Sequence, residues 1–86
     1  MTISQRLREV LQKVRPEVSV PIIVEITTTG SPADYQGTLQ GMGMSIKYVS
    51  KTLPLIYGSG NSAVIQLVNQ QPFVREVTYD EPIYAL

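Results

Sequence analysis

Apolar residues near the N-terminus recur at helical spacing, at Ile3, Leu7, Val10, Leu11 and Val14. This spacing predicts an amphipathic helix over residues 2–15 with one apolar side. Thr2 and Gln5 have the spacing of a capping box at its start, and Pro16 marks its end. We expect this helix to pack on the domain as an N-terminal extension formed by residues 1–16.

Four segments have the composition of β-strands, at residues 20–28, 44–49, 52–57 and 73–79. In the first of them, Ile22, Val24 and Ile26 are expected to face the core, because side chains alternate along a strand. Glu25 and Thr27 then lie on the side that faces solvent. This alternation predicts a sheet with one buried side and one more exposed side.

Two short helices separate these strands. The first opens at Ser31, where serine can cap the helix and the following proline suits its first turn, and it ends at Gly41. The second is predicted at residues 61–71, after a glycine-rich turn at residues 58–62. The order after the N-terminal helix is β-α-β-β-α-β, which predicts an α+β fold of the ferredoxin-like type. Such a fold has a four-stranded antiparallel sheet with two helices on one side, and the other side is left open to the first helix or to a partner.

Composition excludes several classes of function. The 86 residues make one small domain, and seven basic residues balance seven acidic ones, so the chain lacks the positive charge of a nucleic-acid binder. It contains no cysteine, which excludes disulfides and zinc–thiolate sites, and no histidine, which is the usual general base and the commonest ligand of transition metals. We therefore predict a binding protein rather than an enzyme, with no catalytic residue, no cofactor and no metal site.

The sequence also bears on the compartment. No segment approaches the roughly 20 consecutive apolar residues of a membrane span, and the polar N-terminus lacks the apolar core of a signal peptide. A helix lying on a membrane surface is disfavoured, because Glu9 interrupts the basic side of the N-terminal helix. The chain is expected to be cytoplasmic, or secreted if a leader has been removed, and to have no membrane and no nucleic acid as a partner.

The C-terminal tail, residues 80–86, is apolar at its end, where most small domains have polar residues. Its last residues are Pro82, Ile83, Tyr84, Ala85 and Leu86. Pro82 disfavours helix at Glu81, so the tail is expected to leave the sheet in an extended conformation. An extended apolar peptide that ends at a carboxylate is similar to the product of a cleaved protease substrate, and it can add as a strand to an enzyme cleft. The opposing interpretation is that this segment folds back onto its own domain or is held in a dimer of the chain.

Residues 60–86 resemble the C-terminal half of a subtilisin-family propeptide. The family pattern combines a short helix, a proline, two valines three positions apart, an acidic cluster and a tail that ends at the processing site. The matching residues are Pro72, Val74, Val77 and Asp80. The preceding β-α-β-β order also agrees, so the resemblance covers about residues 20–86, and the N-terminal helix is an addition to the family pattern.

The resemblance implies an inhibitor of a subtilisin-like serine protease that binds competitively. Members of the family lay the open side of the sheet on two helices of the protease and thread the tail through the active-site cleft. Leu86 would then fill the primary specificity pocket, and Ile83 the apolar pocket three residues upstream. Tyr84 and Ala85 would bridge these two pockets, and Pro82 would begin the protease-binding tail.

The resemblance further implies that Thr78 and Asp80 cap the positive ends of the two protease helices. Strand alternation places these two side chains on the same side of the sheet. The family often has acidic residues at both positions, and Thr78 departs from that pattern. A threonine can still accept a hydrogen bond from a helix N–H, although with a smaller benefit from the helix dipole.

Two alternatives concern the biological role. The chain is either a free-standing inhibitor, which Met1 and the end at Leu86 favour, or an excised propeptide that also templates the folding of its protease. A different class of function is a ferredoxin-like regulatory or oligomerisation domain that binds a small metabolite or a protein partner. Such a domain has no need of an apolar tail at a fixed distance from the sheet. In either case we expect a monomer or a weak homodimer.

Overall fold

A computed structural model of the chain describes residues 2–27 and 30–81, and it has an α+β fold. The α-helices in these residues are Gln5–Lys13 (α1), Gln36–Gly41 (α2) and Ser62–Asn69 (α3). A 3₁₀ helix, Pro32–Tyr35, runs directly into α2. The strands are Thr2–Ile3 (β1), Val20–Ile26 (β2), Ser45–Val49 (β3), Leu55–Gly60 (β4) and Val74–Tyr79 (β5).

The described strands form one five-stranded sheet in the order β1-β5-β2-β4-β3. Strands β2, β3, β4 and β5 are antiparallel to their neighbours within this group, whereas β1 runs parallel to β5 at one edge of the sheet. The α+β class is therefore confirmed. The prediction of a four-stranded, wholly antiparallel sheet is wrong, because a short parallel strand is added at the edge.

The added strand uses residues that the capping-box pattern assigns to a helix. Thr2 and Ile3 pair with β5, and α1 begins only after Ser4. The Ser4 hydroxyl accepts a hydrogen bond from the backbone N–H of Leu7 at 3.3 Å, so Ser4 caps the helix in place of Thr2. The extended backbone buries Ile3 against the core with 6% of its surface exposed. Long-range packing therefore outweighs the local capping signal.

Strand β4 continues through the glycine-rich segment that the sequence pattern predicts as a turn. Both Gly58 and Gly60 pair with β2. A Cβ atom at Gly58 would lie 2.1 Å from the backbone oxygen of Ser45 on β3, so the close approach of these strands requires a glycine. The helix start moves accordingly: Asn61 caps α3, and its side-chain oxygen accepts a hydrogen bond from the Val64 N–H at 3.0 Å.

The helix start predicted at Ser31 is confirmed, although its first turn is a 3₁₀ helix. The Ser31 hydroxyl accepts a hydrogen bond from the backbone N–H of Ala33 at 3.4 Å. The Asp34 carboxylate accepts one in return from the Ser31 N–H at 3.2 Å. This reciprocal pair is the capping arrangement that stabilises the first turn of a helix.

The α-helices of the described residues all pack on one side of the sheet. On β2 the buried residues are Val20, Ile22, Val24 and Ile26, and the last three are those that the alternation predicts. The same core contains side chains from each helix, namely Leu7, Leu39, Ile65 and Val68. Where the extra N-terminal helix packs was left open by the sequence, and α1 buries its apolar side in this same core instead of covering the opposite side of the sheet. That opposite side is left uncovered by residues 2–27 and 30–81.

Candidate functional site

The uncovered side of the sheet, called the open face from here on, carries the side chains that alternate with the buried ones. On the antiparallel strands it includes Pro21, Ile23, Glu25, Ser45, Tyr48, Leu55, Tyr57, Ser59, Glu76 and Thr78. None of these residues belongs to the buried hydrophobic core. An antiparallel sheet with one packed side and one accessible side offers a broad, nearly flat surface to another molecule.

The centre of the open face is largely apolar. Ile23 lies between Tyr57 on β4 and Thr78 on β5. The ring of Tyr57 meets the ring of Tyr48 on β3, with centroids 5.8 Å apart and an angle of 50° between the planes. Tyr48 is 54% exposed. Neighbouring aliphatic and aromatic side chains on one accessible surface are typical of a protein-binding site.

Acidic side chains lie on the part of the open face nearest to β1. Glu25 and Glu76 stand directly opposite each other on β2 and β5, an arrangement that is unfavourable by itself. The Arg75 guanidinium lies 3.7 Å from the Glu25 carboxylate and offsets part of the repulsion. Because Arg75 is largely exposed, solvent screens this pair, and its contribution to stability is small.

Thr78, the first of the two predicted capping residues, lies on the open face beside Ile23. Its hydroxyl donates a hydrogen bond to the backbone carbonyl of Ile23 at 3.4 Å. A hydroxyl has one proton to donate and two lone pairs that accept. This bond therefore uses the donor and leaves Thr78 to act as an acceptor, which is what a helix N-terminus requires of a capping group.

Asp80, the second predicted capping residue, directly follows β5. Its backbone N–H donates a hydrogen bond to the carbonyl of Pro21 at 3.0 Å, which extends the pairing with β2 by one residue. The side-chain alternation of a strand therefore continues to Asp80 and puts it on the same side as Thr78. Both predicted capping residues thus lie at the end of β5 that precedes the tail.

The predicted protease-binding residues, Pro82, Ile83, Tyr84, Ala85 and Leu86, lie outside the described residues. The last described residue, Glu81, contacts α1, because Nε of Arg6 donates a hydrogen bond to its carboxylate. The Arg6 guanidinium also lies 5.6 Å from the centre of the Tyr79 ring and 3.6 Å from the Glu9 carboxylate. The hydrogen bond to Glu81 and the negative charge of that residue raise the pKa of Arg6 above its usual value.

Arg6 carries no distinguishing signal in the sequence. Its spacing to Glu9 is that of an ordinary ion pair on a helix surface. The contact with Glu81 joins positions 75 residues apart, and it exists because β1 and α1 pack beside β5. Only the three-dimensional arrangement could have identified this residue.

A cavity of about 400 Å³ lies between α1 and α3, on the side of the sheet that the helices cover. It is lined by Ile3, Arg8, Leu11, Gln12, Gln66 and Asn69. The Oδ1 atom of Asn69 is buried and has no hydrogen-bond partner within the described part of the chain. The sheet separates this cavity from the open face, so we assign it no role in the contacts of Thr78 and Asp80.

Clustered metal ligands and membrane-spanning helices are both missing from residues 2–27 and 30–81. No group of three or more histidine, cysteine, aspartate or glutamate side chains within these residues is placed to hold a metal ion. None of the helices in this part of the chain has the length and apolar character needed to cross a membrane.

Comparison with protein-family models and with curated protein sequences gives no match for this chain. The features of this chain that bear on its function are the open face, the predicted capping residues Thr78 and Asp80, and the sequence that follows Glu81.

Proposed function

We propose that this protein inhibits a subtilisin-like serine protease by placing its C-terminal tail in the active-site cleft, as the propeptides that it resembles do. The observation that carries the proposal is the position of Thr78 and Asp80, side by side at the end of β5 and directly ahead of the tail. The open face, the capping groups and the tail then follow one another in the order in which the protease would contact them. Inhibition is competitive, because the tail occupies the place of the substrate.

The arrangement proposed for residues 20–79 is ferredoxin-like, with β1 and α1 as additions. It is supported by the order β5-β2-β4-β3, in which each strand is antiparallel to its neighbours. Helix α2 connects β2 to β3, and α3 connects β4 to β5. These connections have the form of a split β-α-β unit. The open face is then the side of the sheet that docks on the two helices of the protease.

The tail by itself is too small to explain tight binding. Burying Ile83 and Leu86 in pockets stabilises the complex by about 1.5–3 kcal/mol each. Together these values correspond to dissociation constants of about millimolar to tens of micromolar, before the cost of ordering the tail. The open face must therefore supply much of the affinity, in an interface of roughly 800 Å² on each partner.

The capping residues supply the polar part of that interface. A helix N-terminus has backbone N–H groups without partners inside the helix and a partial positive charge. The Asp80 carboxylate would satisfy both requirements at one protease helix. Thr78 would satisfy only the hydrogen bond at the other, since its hydroxyl is neutral and already donates to Ile23. We therefore propose that Asp80 is the stronger of the two caps.

The proposal is tested by adding the protein to a panel of subtilisin-like proteases and following the hydrolysis of a chromogenic peptide. The 86-residue chain is compared with a chain that ends at Ile83 and lacks Tyr84, Ala85 and Leu86. The full chain is expected to inhibit competitively, and the shortened chain to have an inhibition constant larger by orders of magnitude. Circular dichroism and thermal unfolding of both chains show whether the shortened one keeps the fold.

The outcomes separate the parts of the proposal. An inhibition constant that is unchanged by the deletion would reject the tail mechanism, even if the protein inhibits. Noncompetitive inhibition would place the contact away from the cleft. No inhibition of any protease in the panel by the full chain would reject the proposed function.

The second candidate function is a regulatory or oligomerisation domain of the ferredoxin-like type. Tyr48 favours it, because a tyrosine that is 54% exposed on the open face can also pack against a second copy of the chain. Sedimentation velocity distinguishes the two functions. A dimer that persists at low micromolar concentration and survives deletion of residues 84–86 supports the second candidate, whereas a monomer that inhibits supports the first.

A further inference from the structure

Arg6 lies where α1 meets the end of β5. Its guanidinium donates a hydrogen bond to Glu81 and lies 5.6 Å from the centre of the Tyr79 ring, within the range of a cation–π contact. A third contact, at 3.6 Å, joins it to Glu9 on its own helix. One side chain of the N-terminal extension therefore contacts two residues at the point where the sheet ends.

The position of Arg6 is set by packing that does not depend on these contacts. Strand β1 pairs with β5, and the backbone N–H of Ser4 donates a hydrogen bond to the Val77 carbonyl at 2.9 Å. On the other side of Arg6 in the sequence, Leu7 is fully buried in the core. The backbone is thus anchored before and after Arg6, so its guanidinium reaches Glu81 from a rigid support.

We propose that Arg6 is a positioning residue for the inhibitory tail, an inference that rests on the proposed protease inhibition. Pro82 restricts the backbone of Glu81 to extended conformations. When Arg6 also holds the Glu81 side chain against α1, the chain can continue from Glu81 in fewer directions. The tail is then presented in a narrower range of orientations, and less conformational freedom is lost when the protease binds it. The N-terminal extension in this way affects inhibition through the tail.

Because Arg6 and Glu81 are both exposed, an effect of Arg6 on the tail can be distinguished from an effect on the stability of the fold. The side chains of Arg6 and Glu81 are 53% and 55% exposed. Ion pairs with this exposure contribute little to the stability of a fold and are screened by salt. An effect of Arg6 on the tail should therefore depend on ionic strength and leave the unfolding transition nearly unchanged.

The test measures inhibition constants for a subtilisin-like protease at about 50 mM and about 500 mM salt. The variants are Arg6→Ala, Arg6→Lys and the reversed pair Arg6→Glu with Glu81→Arg. Arg8→Ala is the matched control, because it removes the same charge from the same helix and Arg8 forms no ion pair with the described residues. Thermal unfolding of each protein is recorded in the same buffers.

At low salt, Arg6→Ala is expected to inhibit about three- to tenfold more weakly than the natural chain. Arg6→Lys keeps the charge but lacks the planar guanidinium, so it is expected to inhibit more strongly than Arg6→Ala and more weakly than the natural chain. The reversed pair is expected to inhibit nearly as strongly as the natural chain. Arg8→Ala is expected to have the same inhibition constant as the natural chain. At high salt the difference between Arg6→Ala and the natural chain is expected to shrink.

If the natural chain inhibits and Arg6→Ala inhibits equally well at low salt, the positioning role is overturned and the proposed function stands. A lowered unfolding temperature in Arg6→Ala that the reversed pair does not restore would assign Arg6 a purely structural role, and would also overturn the inference. If the natural chain does not inhibit, the proposed function fails, and a local readout decides the role of Arg6. The heteronuclear NOE of the Glu81 amide in the free protein is expected to fall in Arg6→Ala but not in Arg8→Ala, and equal values would overturn the inference.

Discussion

The hydroxyl of Thr78 donates its hydrogen bond to the backbone carbonyl of Ile23, 3.4 Å away on the neighbouring strand. The bond turns a group that can donate or accept into one that accepts, on the side of the sheet that the described residues leave open. Thr78 can therefore cap a helix of a partner, but it brings no charge to the contact. Substitutions at position 78 therefore test the proposal that the open face docks on helices of a protease.

Replacing Thr78 by aspartate is expected to tighten inhibition by about two- to fivefold. A carboxylate interacts more favourably with the positive end of a helix than a hydroxyl does. Thr78→Val has a similar shape but no acceptor, and it is expected to weaken inhibition. The inhibition constant at low ionic strength is the measurement, and equal constants for the three proteins would contradict a capping role for position 78.

Tyr48 is expected to contribute to binding more than an equally exposed residue outside the open face. Tyr48 on β3 and Leu53 in the β3–β4 connection are each 54% exposed. Tyr48→Ala is expected to weaken inhibition by about five- to thirtyfold, since tyrosine is a frequent energetic centre of interfaces, whereas Leu53→Ala is expected to have little effect. The same titration measures both, and equal effects of the two substitutions would argue against docking through the open face.

Gly58→Ala is expected to lower the free energy of unfolding by about 2 kcal/mol or more. The new Cβ would meet the backbone oxygen of Ser45 at 2.1 Å, and a neighbouring strand cannot move away cheaply. Gly37 on α2 is the control, because a Cβ there meets nothing within 4 Å. Gly37→Ala is expected to stabilise the protein by about 0.5–1 kcal/mol, since alanine favours helix over glycine. Urea denaturation measures both variants, and a neutral Gly58→Ala would contradict the close approach of β3 and β4.

Leu7→Ala is expected to cost about 2–5 kcal/mol of stability. Leu7 is fully buried, so its removal leaves a cavity where α1 joins the core. Leu67 on α3 is 42% exposed, and Leu67→Ala is expected to cost much less. Denaturant unfolding followed by circular dichroism gives both values. If Leu7→Ala is unfolded in water, Leu7→Val takes its place and is compared with Leu67→Val. Equal costs would mean that the N-terminal extension is not part of the core.

The parts of the fold that were predicted correctly depend on neighbouring residues. The alternation in β2 correctly predicts that Ile22 and Val24 are buried, because a strand has only two sides and burial of one apolar side selects between them. The helix start at Ser31 is equally local, since its capping partners are Ala33 and Asp34. The α+β class follows from the order of such segments along the chain.

The predictions that were wrong concern residues whose conformation a distant strand determines. The capping-box spacing assigns Thr2 to a helix, but pairing with β5 and the burial of Ile3 hold these residues extended. The segment from Gly58 to Gly60 has the local preferences of a turn, yet it forms strand because β2 and β3 lie on either side of it. Neither outcome has a signal within a few residues of the position concerned.

For the candidate site, too, the sequence determines the properties of single residues, whereas the tertiary structure determines the contacts between distant ones. The chain alone shows an apolar end, balanced charge, and no cysteine or histidine, because these are properties of residue identity. It does not show that Arg6 meets Glu81 across 75 positions or that Thr78 donates to Ile23. The Arg6 contact requires β1 and α1 to pack beside β5, and the Thr78 contact requires β2 to pair with β5. A hydrogen bond between such distant positions leaves no periodicity in the sequence, because it depends on how the whole intervening chain folds.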